Sequence, residues 1–222
     1  MSAPPSVALN SGLQMPLLGL GTYKLRGPEE VHAAVDAALA AGYRAFDSAA
    51  VYRNEADLGS ALKHLLPKYD LTRKDVFITS KLGPKDQGNR AQSWAALEEL
   101  HGQGKLKAIG VSNYTPAHMR ELMSSCRVPP CSSSGILLLG KGELLSDPLI
   151  LEVAERYKRT AAQVLLRWAV QQGIPVLPKS SNPERIEENS RIFDFELSST
   201  DMERLSSLDC GHKYCWDPSQ VA

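Results

Sequence analysis

Asp47-Ser48-Ala49-Ala50-Val51-Tyr52-Arg53-Asn54-Glu55 follows the run Tyr43-Arg44-Ala45-Phe46 and leads into Ala56-Asp57-Leu58-Gly59-Ser60-Ala61-Leu62. An acid ends a strand, a tyrosine follows in the loop, and a helix begins just beyond. An α/β barrel presents chemistry in this way, with catalytic groups at the strand ends that carry the βα loops. The next strand-like run, Val76-Phe77-Ile78-Thr79-Ser80-Lys81, ends in a lysine at the equivalent point. Asp47, Tyr52 and Lys81 can therefore meet from neighbouring strand ends.

On both sides of this stretch the pattern is strand and helix in alternation, which predicts a parallel sheet or barrel. Residues 6–13 and 16–23 read as a short extended pair turning through Asn10-Ser11-Gly12. A helix is expected over 28–40, with Pro28 in its first turn, Glu29 and Glu30 at its positive end and Gly42 closing it. Strand 44–48, helix 55–66 with Pro67 as its stop, and strand 76–81 follow. After the loop 83–89 come helix 91–101, strand 108–111 and helix 116–125. A second break, 128–135, precedes Ile136-Leu137-Leu138-Leu139, which four residues do not assign to strand or loop. Helices 147–157 and 160–171, strand 174–178, and helices 183–192 and 199–207 complete the reading.

With 222 residues, one well-buried domain spanning 1–222 is expected. Basic and acidic residues balance at 25 each, and no basic stripe offers a footprint for nucleic acid. The longest apolar stretch is too short for a bilayer and the N-terminus lacks the regions of a signal peptide, so no membrane partner is expected. Cys126, Cys131, Cys210 and Cys215 show neither metal spacing nor a CxxC pair, which reads as a reduced, cytoplasmic protein without a metal.

Three constellations carry chemistry. A tyrosine with a pKa of about 10 is a poor proton donor or acceptor at neutral pH, and a neighbouring ammonium brings it towards the working range. Asp47 would orient Lys81, Lys81 would tune Tyr52, and Tyr52 would hand a proton to a carbonyl oxygen as hydride reaches its carbon. The alternative is that Asp47 caps a helix, Tyr52 packs and Lys81 is a solvated strand end. The second constellation is Pro178-Lys179-Ser180-Ser181-Asn182-Pro183-Glu184-Arg185-Ile186-Glu187-Glu188-Asn189, a strand end running into a helix N-terminus, where backbone donors and two cations favour a phosphate. An ordinary βα loop reads the same way. The third, Gly110-Val111-Ser112-Asn113, is a strand end whose two polar side chains could hold an amide. Gly19-Leu20-Gly21-Thr22-Tyr23 is not a dinucleotide fingerprint, because the third glycine and the following helix are missing.

The order and wording of these stretches resemble the aldo-keto reductases, NADPH-dependent oxidoreductases built on a (β/α)8 TIM barrel. Leu18-Gly19-Leu20-Gly21-Thr22-Tyr23, Gly42-Tyr43-Arg44-Ala45-Phe46-Asp47-Ser48-Ala49 and Ala162-Gln163-Val164-Leu165-Leu166-Arg167-Trp168 support the resemblance, which covers most of residues 6–218. It implies Tyr52 as general acid with Asp47 and Lys81 tuning it, and Ser112 and Asn113 on the nicotinamide carboxamide. It implies Lys179, Ser180, Ser181, Asn182 and Arg185 around the adenosine 2′-phosphate, and Glu188 and Asn189 at the adenine. Gly21, Thr22 and Tyr23 would line the nicotinamide and substrate end. A monomer acting on a small carbonyl compound (an aldehyde, quinone or keto-acid) is expected.

The departures define a shortened member, with about six of eight strands recognisable. The family's histidine at the end of its fourth strand has no counterpart among His32, His64, His101, His118 and His212, all of which read as surface groups. A helix and strand are expected to be missing between Gly88 and Arg90. A further strand is expected to be missing after Pro130, with Cys131-Ser132-Ser133-Ser134-Gly135 as the remnant of the next and Cys131 in the place of a stacking tyrosine. The alternative function is a non-catalytic relative that binds nucleotide weakly or serves as a partner protein.

Overall fold

The computed structural model describes residues 4–83, 90–131, 133–134 and 144–209, with 133 and 134 described through their backbone. The run 136–139 and the tail that carries His212 lie outside these residues. Strands β1 (Ser6–Ala8) and β2 (Gln14–Pro16) form an antiparallel hairpin. Strands β3 (Leu20–Gly21), β4 (Ala45–Asp47) and β5 (Phe77–Thr79) form a parallel sheet in that order. The extended pair expected over 6–13 and 16–23 is thus divided. Its second run leaves the hairpin at Pro16 and enters the parallel sheet at Leu20.

Residues 174–178 continue the sheet beyond β3 through one parallel bridge, Leu18 to Val176, rather than a full strand. Backbone bonds from Gly19 N to Val176 O (2.9 Å) and from Gly21 N to Pro178 O (3.1 Å) hold this edge. Both glycines are required by closeness. A Cβ on Gly19 would lie 2.9 Å from that of Ala45, and one on Gly21 would lie 2.7 Å from the Leu177 carbonyl oxygen.

Helices α1 (Gly27–Ala40) and α2 (Glu55–Lys68) cover this sheet. Their stripes, Val31, Ala34, Val35, Ala38 and Leu39 against Leu58, Ala61, Leu62, Leu65 and Leu66, join Leu20, Tyr43 and Phe46 in the largest core cluster. Helix α1 closes as expected, with Gly42 at φ 87°. Pro67 does not stop α2, which runs to Lys68. In the last turn its ring is exposed and a single intrahelical bond is lost, so the break is delayed.

Helix α3 (Arg90–Gly102), strand β6 (Val111–Ser112), helix α4 (Pro116–Ser125) and strand β7 (Ser133–Ser134) form a second part, with β6 and β7 parallel. The strand expected over 108–111 therefore sits one to three residues later. The stretch expected to be a remnant pairs directly with β6, in register Val111 to Ser133, which closes the gap of the expected missing strand. Counting β3 to β7 and the Val176 bridge, the described residues show six parallel segments. Strand β4 is fully buried, whereas β5 is half-buried along its length, as befits a strand with no neighbour on its outer side among the described residues.

Trp94, Ile109, Val111 and Leu122 form a small core separate from the first. Its polar centre is Glu98, buried to 7% exposure, which the sequence reading did not single out. The carboxylate accepts from Arg127 N (2.6 Å), Val128 N (2.8 Å), Trp94 Nε1 (3.1 Å) and Arg127 Nε (2.9 Å). It thereby ties the connection after α4 to helix α3. Helices α5 (Pro148–Tyr157), α6 (Ala161–Gln171) and α8 (Ser199–Ser206) bury a third cluster, and α7 (Pro183–Ser190) packs on α1. Among the described residues no helix is long and apolar enough to cross a membrane, and no cluster of ligands could hold a metal.

The backbone amides on Glu98 hold its carboxyl below the ordinary 4.5, helped by Arg127 and opposed by burial. A depressed folded-state pKa stabilises above the unfolded value and is lost as pH falls through the folded one. The stability difference between wild type and Glu98→Gln should therefore be full at neutral pH and shrink below about pH 4.5, measured by urea unfolding across that range.

Candidate active site

The end of β4 and the residues after β5 are locked together by backbone bonds that continue the parallel ladder, Ser48 N to Thr79 O (2.9 Å) and Ala50 N to Lys81 O (3.0 Å). This register sets Lys81 beside Asp47. The ammonium donates to Asp47 Oδ1 (2.5 Å) and Oδ2 (2.6 Å) and to Ser48 O (3.1 Å), while Thr79 Oγ1 donates to Asp47 Oδ2 (2.8 Å). Both side chains are largely removed from solvent, at 16% exposure for Lys81 and 5% for Asp47. Asp47 caps no helix and Lys81 is not a solvated strand end; the two form a largely buried ion pair.

Tyr52 ends a single 3-10 turn, Ala50–Tyr52, that Arg53 closes in the left-handed region at φ 57°. Its ring lies under the Lys81 ammonium, 5.4 Å from centroid to Nζ, and 5.1 Å from the ring of the exposed Tyr23. Asp47, Lys81 and Tyr52 thus come together, but not with the expected electrostatics. Burial, then the Asp47 carboxylate, then Tyr23, push the phenol up to about 12. Burial is the larger cause, and the Asp47 carboxylate, which takes two of the three Lys81 hydrogen bonds, adds to it. Tyr52 keeps its proton through the neutral range and is a donor there, not a base.

Behind the pair lies a buried polar knot of Thr22, Ser48 and Asn54. Asn54 Nδ2 donates to Thr22 O (2.8 Å) and Leu25 O (3.2 Å), and Asn54 Oδ1 accepts from Ser48 Oγ (2.8 Å) and Thr22 Oγ1 (3.4 Å). Thr22 Oγ1 also donates to Asp47 O at 2.9 Å. Thr22 is fully buried, so its hydroxyl braces β4 rather than facing a ligand, and Tyr23 alone of the Gly21-Thr22-Tyr23 run presents an exposed side chain. No local signal marked Ser48 and Asn54 for burial, since each stands beside a charged residue in the sequence.

The phosphate-favouring loop leads into α7 as expected, with Asn182 as N-cap accepting from Arg185 N (3.2 Å). Ser180 is buried and its Oγ accepts from Asn182 N (3.0 Å), so Ser180 and Asn182 shape the loop. Lys179, Ser181 and Arg185 are exposed, a donor set of two cations and a hydroxyl at a helix N-terminus that fits a phosphate. Asn113, held at φ 59°, donates through Nδ2 to Ser112 Oγ (3.3 Å) at the end of β6. Glu188 and Asn189 share the last turn of α7, Asn189 buried.

The histidines take no part in this cluster among the described residues. His118 is half-buried rather than on the surface. It accepts from Thr115 N through Nδ1 (3.3 Å), completing the cap of α4, and its ring stands edge-on to Tyr114.

Three comparisons bear on this geometry. The family model described as "Aldo/keto reductase family" matches residues 17–95, 89–136 and 140–209. Its junctions fall where the strand and helix rhythm breaks. The chain is 32% identical to a glyoxal reductase of Bacillus subtilis over 275 aligned positions, covering 99% of this chain and 98% of that protein. An alignment longer than the 222 residues of this chain means that the relative carries internal segments which this chain lacks. Among solved structures, the fold is similar to an aldo-keto reductase enzyme from a Medee basin deep-sea metagenome library, with TM-score 0.91, 29% identity and coverage of 98% of this chain and 100% of that one. It is also similar to an aldose reductase from Schistosoma japonicum, with TM-score 0.82, 31% identity and 91% of each chain covered. The architecture is thus an incomplete (β/α)8 barrel.

Removing one partner of a buried pair leaves a charge without compensation. Lys81→Met should lower stability by about 3 kcal/mol, and Asp47→Asn added to it should recover most of that loss, as read by urea unfolding of the two variants.

Proposed function

The chain belongs to the aldo/keto reductase family, and we propose that it reduces small aldehydes and ketones to alcohols with NADPH, Tyr52 acting as general acid. The observation that carries this reading is the convergence of Asp47, Lys81 and Tyr52 at two adjacent strand ends. Bound NADPH would supply the hydride to the carbonyl carbon. Tyr52 donates its phenolic proton to the carbonyl oxygen, and its high pKa keeps that proton in place until negative charge develops. Lys81 stabilises the phenolate that results, and Asp47 holds Lys81 in position. The knot at Asn54 fixes the turn that carries Tyr52.

For the cofactor, Lys179, Ser181 and Arg185 hold the 2′-phosphate on a loop shaped by Ser180 and Asn182. Ser112 and Asn113 take the carboxamide, and Glu188 and Asn189 the adenine. Gly21 and Tyr23 face the nicotinamide and substrate. A second reading, a nucleotide-binding relative without turnover, is favoured by the histidines: none of those described bonds to Asp47, Lys81 or Tyr52.

NADPH binding by nicotinamide fluorescence, with a thermal melt of the same sample, tests the cofactor. A cooperative melt raised more by NADPH than by NADH supports it, and no binding overturns it. Arg185→Ala should weaken NADPH by roughly tenfold or more and NADH far less, since a charged partner is lost by NADPH alone. Equal weakening would show the phosphate loop misplaced. Tyr52→Phe should lower kcat with a simple aldehyde by about a hundredfold or more while leaving the NADPH Kd nearly unchanged. The wild-type reduction rate should hold past about pH 10, where an ordinary tyrosine half-ionises. A folded, NADPH-binding wild type without turnover would favour the second reading.

A further inference from the structure

We propose that Thr160 is a positioning residue for the adenine end of the cofactor, acting through the carboxylate of Glu188. The inference rests on the NADPH reading above and adds a residue, on a different helix, which that reading leaves out.

Helix α6 begins with a capping box. Thr160 Oγ1 accepts from Gln163 N (3.2 Å) and Gln163 Oε1 accepts from Thr160 N (3.1 Å). A box that served α6 alone would need nothing more from either side chain. Here both reach across to α7. Thr160 Oγ1 donates its proton to Glu188 Oε1 at 2.9 Å, and Gln163 Nε2 donates to Glu188 O (2.9 Å) and Arg191 O (3.3 Å). Gln163 is buried at 4% exposure, so its amide is firmly placed. The start of α6 therefore grips the last turn of α7 by backbone and side chain together.

This grip falls on the residue assigned to the adenine. A glutamate on a helix surface has three side-chain torsions to fix before it can accept a hydrogen bond from a ligand, and ordering them on binding weakens affinity. With Oε1 already held by Thr160, the carboxylate plane is set before the ligand arrives. Oε2 is then the oxygen left to accept from an exocyclic amine. Thr160 touches no reacting atom, so its effect belongs in cofactor recognition and not in the chemical step.

The test compares Kd for NADPH with Kd for its hypoxanthine analogue, in which a carbonyl oxygen replaces the exocyclic amine, both by nicotinamide fluorescence. Wild type should prefer NADPH by roughly tenfold, the worth of a hydrogen bond to a charged acceptor. Thr160→Asp keeps a good N-cap for α6 but has no proton to give to Glu188. It also sets a second carboxylate beside that of Glu188, so it should melt somewhat lower while staying folded, and the preference should fall by roughly fivefold or more. Thr160→Ser, which keeps both the cap and the donor, should retain the preference. Thr160→Val, which loses both, should melt lower and lose the preference too, and it serves as the second variant. A folded Thr160→Asp or Thr160→Val with the wild-type preference overturns the proposal. A wild type that binds both compounds equally overturns the placement of the amine at Glu188 and the proposal with it. A wild type that binds neither overturns the NADPH reading itself.

Discussion

The Asp47–Lys81 pair is the constraint from which the rest of the site follows. It joins the end of β4 to the residues beyond β5, and almost every group around it is arranged to satisfy it. A carboxylate and an ammonium removed from water must find partners for their remaining lone pairs and protons, or the fold loses more than the pair contributes. Thr79 and the Ser48 carbonyl are those partners, while Thr22 and Asn54 brace the backbone that carries Asp47. The same arrangement decides the behaviour of Tyr52. Burial, and then the Asp47 carboxylate, raise the phenol beside the pair, so that it remains an acid at neutral pH.

Among the described residues, the sheet around this pair has a further partner beyond β3 and none beyond β5. Beyond β3, residues 17–21 meet 174–178 at a distance that permits no side chain at Gly21, and this brings the phosphate-favouring loop beside the strand that leads to Tyr23. Beyond β5 the described residues supply no further strand, and the consequence is visible in the half-exposed Phe77, Ile78 and Thr79. The second part of the molecule accommodates its own loss differently, by pairing β6 with β7 directly. Missing segments are thus absorbed once by an exposed edge and once by a new neighbour.

Much of this was legible in the sequence because periodicity and strand-end chemistry are local signals. The helices over 28–40, 55–66 and 116–125, the cap at Thr115, and the approach of Lys81 to Asp47 were all written in short windows. What was not legible depended on distance along the chain. Nothing near Glu98 shows that two backbone amides from residues 127 and 128 will reach it, and nothing near Asn54 shows that its amide belongs to Thr22 and Leu25. The direction of the Tyr52 shift was missed for a related reason. Spacing put an ammonium beside a phenol, but it does not show how far the phenol is buried or that the Asp47 carboxylate acts on it as well. Strand 174–178 shrank to a single bridge because Pro175 and Pro178 offer no amide to a ladder.

The separation of the Trp94–Leu122 cluster from the main core also bears on how the molecule opens. Free energy of opening follows local burial, and segments with small private cores fluctuate as units of their own. The stretch from α3 to β7 has four buried apolar side chains and one buried carboxylate to hold it, whereas α1 and α2 share a continuous interior with the parallel sheet. Subglobal excursions therefore begin in α3 and α4, with Asp47, Lys81 and Tyr52 still assembled on the other part. Ser112 and Asn113 travel with the labile part. Amide exchange in the stretch from α3 to β7 is accordingly expected to proceed through openings that leave the Asp47–Lys81 pair closed.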